Sequence, residues 1–385
     1  MFPGEIIDCI VDFLDKDTRT LLNISLTNST WLPSGRARLF RAVRVNPQTV
    51  QKFLQLLKHP LSTFASSVKH IDISGINYYH PDFLSLDIPA LGECCCNVVS
   101  LNIFNLSFNE TGTERYSPLV NNFSKLERLQ LDGLVFVSVS QMMNLLCGFP
   151  LLHTAVLHNI AWEDPSTDGE DELYPYKIPS TLRELSIDAC YKRDVMRCFL
   201  NHDPFPDINK LDLGILSPSD TQAVGEYLAR IGPTLDHLSL GFSSLDAGGD
   251  AEDFFLNCDL GYNTSLKTVH IHRLIDYWKY RLTSPVPWNL KSLAQIRSEK
   301  LEEVSFSLYM SHVSQLDVED LPADFDWDEM DRFFVEGNLP HLKVVRLLLS
   351  VDTRTLGFQV EDAIGVLWEK LPLSRSKGLL RFGQA

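Results

Sequence analysis

The stretch "LERLQL" at residues 126–131 sets apolar Leu126, Leu129 and Leu131 around a variable pair and a single polar Gln130. Alternation over its last three positions marks a short strand with one buried face. The same spacing returns as "FRAVRV" from Phe40, "VKHIDI" from Val68, "VVSLNI" from Val98 and "LHTAVL" from Leu152. It continues as "LRELSI" from Leu182, "INKLDL" from Ile208, "LDHLSL" from Leu235, "LKTVHI" from Leu266, "LEEVSF" from Leu301 and "LKVVRL" from Leu342. These eleven copies start 26 to 41 residues apart, a spacing too regular for chance composition. Between them lie helical stretches such as "SVSQMMNLLCGF", "DTQAVGEYLARI" and "PWNLKSLAQIRS". A strand, a loop, a helix and a return make a parallel β/α unit that cannot bury its apolar face alone, so neighbouring units must stack.

The pattern resembles the leucine-rich repeat, "LxxLxLxxN/CxL". The ninth position, where that family carries Asn or Cys, holds Cys190 once and elsewhere apolar residues such as Leu106, Leu134 and Ile160. The expected fold is therefore α/β: a degenerate repeat solenoid over residues 46–385, curved into an arc, with strands about 4.8 Å apart.

Composition narrows the function classes. Of 385 residues, 44% are hydrophobic and 22% charged, which describes a folded chain and not a disordered one. Thirty-four basic against 50 acidic residues leave a net charge of −16, which disfavours nucleic acid or an anionic membrane as ligand. No apolar run approaches the ~18–20 residues of a membrane span. Glu5, Asp8 and Asp12 stand where a secretory signal carries basic residues, so no signal peptide is expected. The eight cysteines form no C-x-x-C pair, and Cys94, Cys95 and Cys96 are consecutive, so reduced thiols in the cytoplasm or nucleus are the expectation.

Ahead of the first repeat, residues 2–40 read as three short helices. Pro3 opens the first, Glu5 follows in its first turn, and Ile6, Ile7, Ile10, Phe13 and Leu14 spread an apolar face wider than one contact needs. Leu21, Leu22 and Leu26 mark the second helix, Trp31 precedes the third, and Leu39-Phe40 closes it. With Phe2 at the opening Leu position, this series resembles an F-box over residues 1–45. Thr27 and Asn28 stand where that family carries Val and Cys or Ser. An F-box running straight into degenerate leucine-rich repeats is similar to the F-box proteins abundant in mushroom-forming fungi. The resemblance implies that Phe2, Pro3, Glu5, Ile6, Ile7, Ile10, Leu14, Leu21, Leu22, Leu26 and Trp31 dock the Skp adaptor of a cullin-RING ubiquitin ligase, while the repeats select a protein substrate. The alternative is a repeat scaffold independent of any adaptor, its helices a cap on the first strand.

On the repeats, residues at the third, fifth and seventh positions share the face opposite the core. The fifth-position column, from Arg44 and Asp72 through Asp212, Ser239 and His270 to Arg346, is polar and mixed in sign, which suits protein recognition. His270 and His272 share one face with His237 a strand away, but no carboxylate or thiolate completes a metal set at a convincing spacing. The acidic stretches 163–172, 245–253 and 315–331 follow strands and carry no Lys or Arg. In "YWKYR" (277–281), Tyr277, Trp278, Tyr280 and Arg281 are the residue types that dominate binding hot spots. Together with the three histidines they form the expected substrate site. No phosphate-binding glycine loop, G-x-S-x-G or H-E-x-x-H occurs, so neither catalysis nor a cofactor is expected.

Overall fold

A computed structural model describes residues 3–14, 17–27, 29–75, 83–106, 108, 117–162, 177–202, 205–242, 249–276, 283–310, 312–317, 321–322, 324–337, 339–351 and 360–384. The chain forms two compact units, Met1–Leu182 and Arg183–Ala385. Among the described residues no helix is long and apolar enough to cross a membrane.

The first unit opens with α1 (Gly4–Asp12), α2 (Thr18–Thr27) and α3 (Leu32–Leu39). There follow β1 (Ala42–Val45), α4 (Val50–Leu57), β2 (His70–Ser74), α5 (Ile88–Cys94), β3 (Ser100–Phe104) and α6 (Ser117–Asn122). The unit closes with β4 (Arg128–Asp132), β5 (Val135–Phe136), α7 (Val139–Cys147), β6 (Thr154–His158) and β7 (Ala161–Trp162). Strands β1, β2, β3, β4 and β6 pair in parallel and in order. Their register keeps like positions of successive copies side by side, as in Ile71↔Leu101 and Leu101↔Leu129. The fourth and sixth positions of the copies therefore pile into one core: Ile71, Ile73, Leu101, Ile103, Leu129, Leu131, Ala155 and Leu157 are all fully buried.

The second unit repeats the plan with longer strands. It comprises β8 (Glu184–Asp188), α8 (Lys192–Leu200), β9 (Lys210–Leu216), α9 (Pro218–Ile231), β10 (His237–Phe242), α10 (Gly249–Asn257) and β11 (Thr268–Asp276). After these come α11 (Val286–Ala294), β12 (Glu303–Met310), α12 (Trp327–Val335), β13 (Val344–Val351), α13 (Val360–Lys370), α14 (Pro372–Ser376) and β14 (Leu380–Gln384). Strands β8 to β14 run parallel in chain order. All eleven sequence copies form strands, and β14 is one more, with Lys377 where an apolar first residue would stand. Helix starts follow local chemistry: at α9 the Ser217 hydroxyl and backbone N–H both bond the Asp220 carboxylate, and Pro218 takes the first turn.

Five of the copies share a left-handed residue at or near the end of the strand. Asn105, Gly133, Asn159, Ala189 and Arg273 all occupy the eighth position of their copies, and all have φ between 49° and 65°. This left-handed residue bends the chain while its N–H keeps the ladder going: Asn105 N donates to Asp132 O at 2.9 Å and Gly133 N to His158 O at 3.1 Å. A second, shorter ladder follows, with β5 parallel to β7 and Phe108 N donating to Val135 O at 2.8 Å. Leu134 and Ile160, the ninth-position residues of their copies, are buried at this corner. Backbone bonds and apolar packing there hold the place of the side-chain ladder that Asn or Cys would supply.

Positive φ costs a non-glycine residue about 1–2 kcal/mol. A Cβ on Gly133 would also lie 2.5 Å from Asn105 Oδ1. Gly133→Ala should therefore destabilise the fold by about 1–2 kcal/mol, whereas Ala189→Gly, at an exposed position with φ 49°, should stabilise it by up to about 1 kcal/mol. Urea-unfolding midpoints of the two variants should move in opposite directions.

Candidate functional site

The residues expected to bind partners fall on two surfaces, and each is built by a different rule. The first lies on the N-terminal helices. Pro3 supplies an extended N-cap to α1 (φ −55°, ψ 150°), and its carbonyl accepts from the Ile6 and Ile7 N–H groups at 3.1 and 3.2 Å. Asp17 caps α2, accepting from Thr20 N at 3.0 Å and Thr20 Oγ1 at 2.6 Å, and these bonds hold its carboxyl below the usual range. Ile7, Val11 and Leu21 form a small core, each at most 2% exposed, against which Leu14, Trp31 and Leu39 pack. Polar ties close the bundle: Ser34 Oγ donates to Asp8 at 2.6 Å, and Arg38 pairs with Asp12.

That core leaves half of the apolar side chains unused. Ile6, Ile10 and Phe13 form a stripe at spacing i, i+4, i+7 on and just past α1, and Leu22 and Leu26 a second on α2. All five are exposed, Phe13 by 93% and Leu26 by 77%. The structure thus sorts the F-box-like residues into two jobs. Ile7 and Leu21 hold the bundle together, Leu14 and Trp31 pack on its core, and Ile6, Ile10, Leu22 and Leu26 face outward beside exposed Pro3 and Glu5. Phe2 lies outside the described residues.

The second surface is the polar face of the β8–β14 sheet. Asp212 is its hub: Oδ1 accepts from Gly214 N at 3.0 Å and meets His272 Nε2 at 3.3 Å, while Oδ2 accepts from Ser186 Oγ at 3.4 Å. His272 Nε2 also meets Ser239 Oγ at 2.7 Å, and its ring touches that of His270 edge-on at 4.4 Å. His270 Nδ1 bonds Ser305 Oγ at 2.8 Å. Next along the row, Arg346 clasps Glu303 through two bonds of 2.7 and 3.1 Å. His237 stands apart, bonded through Nδ1 to Thr268 Oγ1 at 2.6 Å, and lines a cleft of about 560 Å³ at the strand starts with Lys267, Glu303 and Lys343.

The sequence reading foresaw this polar face but not the second-position column that borders it. There, cross-strand ion pairs join Asp236 to Lys267 at 2.8 Å and Glu302 to Lys343 at 2.6 Å. The signal is present in the sequence as acids and lysines alternating at the second position, Asp236, Lys267, Glu302 and Lys343. Tyr277, Trp278, Tyr280, Arg281 and the acidic stretch 163–172 lie outside the described residues. Among the described residues no group of three or more His, Cys, Asp or Glu side chains is arranged to hold a metal ion.

Titration on this face follows from burial. Burial, and then the neighbouring His272, push His270 down to about 4, against the pull of Asp212 and Glu303. Burial also opposes the charge on Asp212, but bonds from His272, Gly214 N–H and Ser239 outweigh it and its pKa falls below the ordinary carboxylate value. An unfolded imidazole takes its proton near 6.5 and the folded His270 only near 4, so between these values the unfolded chain binds more protons. Stability should therefore decline as pH falls through that window, and Asp212 adds a further loss at still lower pH. His270→Asn should flatten the decline between pH 6.5 and 4 by on the order of 1–2 kcal/mol. Urea midpoints taken across that range for both proteins check it.

No family model matches the chain, and no curated protein matches it. Among solved structures it is similar to the leucine-rich repeat-containing protein LegL7 from Legionella pneumophila, with a TM-score of 0.46 and 12% identity over 86% of this chain and 97% of that one. A protein from Bacteroides fragilis follows with a TM-score of 0.24 and 13% identity, over 86% of this chain and 73% of that one.

Proposed function

We propose that this chain is the substrate-recognition subunit of a Skp–cullin–F-box ubiquitin ligase. Residues 1–45 dock the Skp-type adaptor, and residues 46–385 present the recognition surface to a protein substrate in the cytoplasm or nucleus. The observation that carries the reading is the apolar surplus of the N-terminal helices. With the bundle core already filled by Ile7, Val11 and Leu21, five large apolar side chains stay in water. Each can contribute about 1.5–3 kcal/mol once a partner covers it. Such a receptor does no bond chemistry; it raises the local concentration of substrate at a separate ubiquitin-transferring enzyme.

One observation favours the scaffold alternative. Phe40, closing the helical segment, stacks on Phe64 of the first repeat with ring centroids 3.9 Å apart, the contact expected of a cap. Capping and docking use different residues, so the same helices can do both.

Co-expression with a Skp-type adaptor should yield a stable complex. Ile6→Asp combined with Ile10→Asp should abolish it, because each carboxylate entering a desolvated apolar interface costs several kcal/mol. The repeats should melt unchanged in that variant. Ile7→Asp should instead unfold the helical bundle itself, since Ile7 is 1% exposed. Undiminished binding by the double variant would place the interface elsewhere, and no binding by the natural chain would leave the scaffold reading.

A further inference from the structure

Among the described residues β14 has a sheet neighbour on one side only. Its pairing with β13 uses the odd residues: Val345 N donates to Leu379 O at 2.9 Å, and the register runs Val345↔Leu380 to Leu349↔Gln384. In a parallel ladder of this register the N–H and C=O groups of Leu380, Phe382 and Gln384 point to the open edge. One of these is covered from within the strand. The Arg381 guanidinium donates through Nη1 to Leu380 O at 2.7 Å and to Gly378 O at 3.0 Å. A charged side chain folded over its own edge carbonyl is a device that keeps an open strand from pairing indiscriminately.

The surrounding charge says what would displace it. Residues 370–385 carry Lys370, Arg375, Lys377 and Arg381 and no acid, within a chain of net charge −16. Lys370 pairs with Asp317, but Arg375 stacks on Trp368 and Lys377 donates to Val335 O, so neither meets a carboxylate among the described residues. The Arg381 guanidinium holds only neutral carbonyls, and a carboxylate makes a shorter, stronger, two-pronged partner for it.

We propose that the open edge of β14 is a strand-addition site for an acidic, extended segment of a partner protein. A carboxylate of the segment draws Arg381 off Leu380 O, and the freed edge then pairs with the segment's backbone. Arg381 thus closes the edge to neutral strands and opens it to acidic ones. This reading is independent of adaptor docking, which involves the other unit.

Three blocked hexapeptides test it on the 385-residue, nitrogen-15-labelled chain: (Glu-Val)3, (Lys-Val)3 and (Glu-Pro)3, the last with the charge of the first but half its backbone donors. (Glu-Val)3 should shift the Phe382 and Gln384 amides and bind at least about five-fold tighter than either other peptide. In Arg381→Ala the ratio of (Glu-Val)3 to (Lys-Val)3 affinity should fall at least about three-fold, because the charge that covers the edge is gone while Arg375 and Lys377 keep a general pull on acids. Equal binding of (Glu-Pro)3 would reduce the site to diffuse electrostatics and overturn the proposal. So would an undiminished preference in Arg381→Ala, or shifts confined to residues away from β14. Sedimentation of the natural chain as a dimer that (Glu-Val)3 dissociates would make a second copy the occupant and overturn the assignment to a partner protein.

Discussion

The parallel ladder governs everything else in this molecule. Parallel strands cannot be joined by a tight hairpin, so each must be followed by a crossover that returns the chain to the same end. Within each unit, in-register pairing then places the fourth residues of neighbouring copies side by side, as in Leu238↔Val269, Val269↔Val304 and Val304↔Val345. Burying that row is the dominant favourable term, and it leaves the alternate residues no choice but the opposite face. The polar row running through Asp212, Ser239, His270, Ser305 and Arg346 is therefore a by-product of core formation that is available for recognition.

Charge on that face stabilises little by itself. The pairs Asp236–Lys267, Glu302–Lys343 and Glu303–Arg346 each link one strand to the next, yet most of these side chains are well exposed. Exposed pairs of this kind contribute about 0–1 kcal/mol and weaken with salt. Their consequence is order: they hold long side chains in fixed places, which lowers the entropy that binding at such a surface would cost.

How much of this was legible in the sequence depends on whether the signal was carried by side-chain type or by backbone. The eleven strand copies were legible because burial demands apolar residues at three fixed offsets. The strand β14 was not, because Lys377 stands at the first offset and only Leu380 and Phe382 keep the pattern. The left-handed turns were hidden because Asn, Gly, Ala and Arg share a conformation there and no side-chain property. Periodicity found the apolar face of α1 but could not separate Ile7, which the bundle uses, from Ile6 and Ile10, which it leaves out. The contact of His272 with Asp212 spans two strands, beside an irregularity in β9. There Gly214, at φ 52°, lets Gly241 pair with Ile215, one residue out of step.

The eighth-position turn also bears on how such a chain can diverge. Its requirement is a torsion angle, and a torsion angle can be met by a small or flexible residue of almost any polarity, though poorly by a β-branched one. Neighbouring copies therefore need not resemble one another at this corner to stack on one another. Residue types can differ at this corner while the chain still bends alike and the layers still fit. What the copies share at such a corner is a path of the backbone, and the residues along it can differ while the buried rows stay apolar.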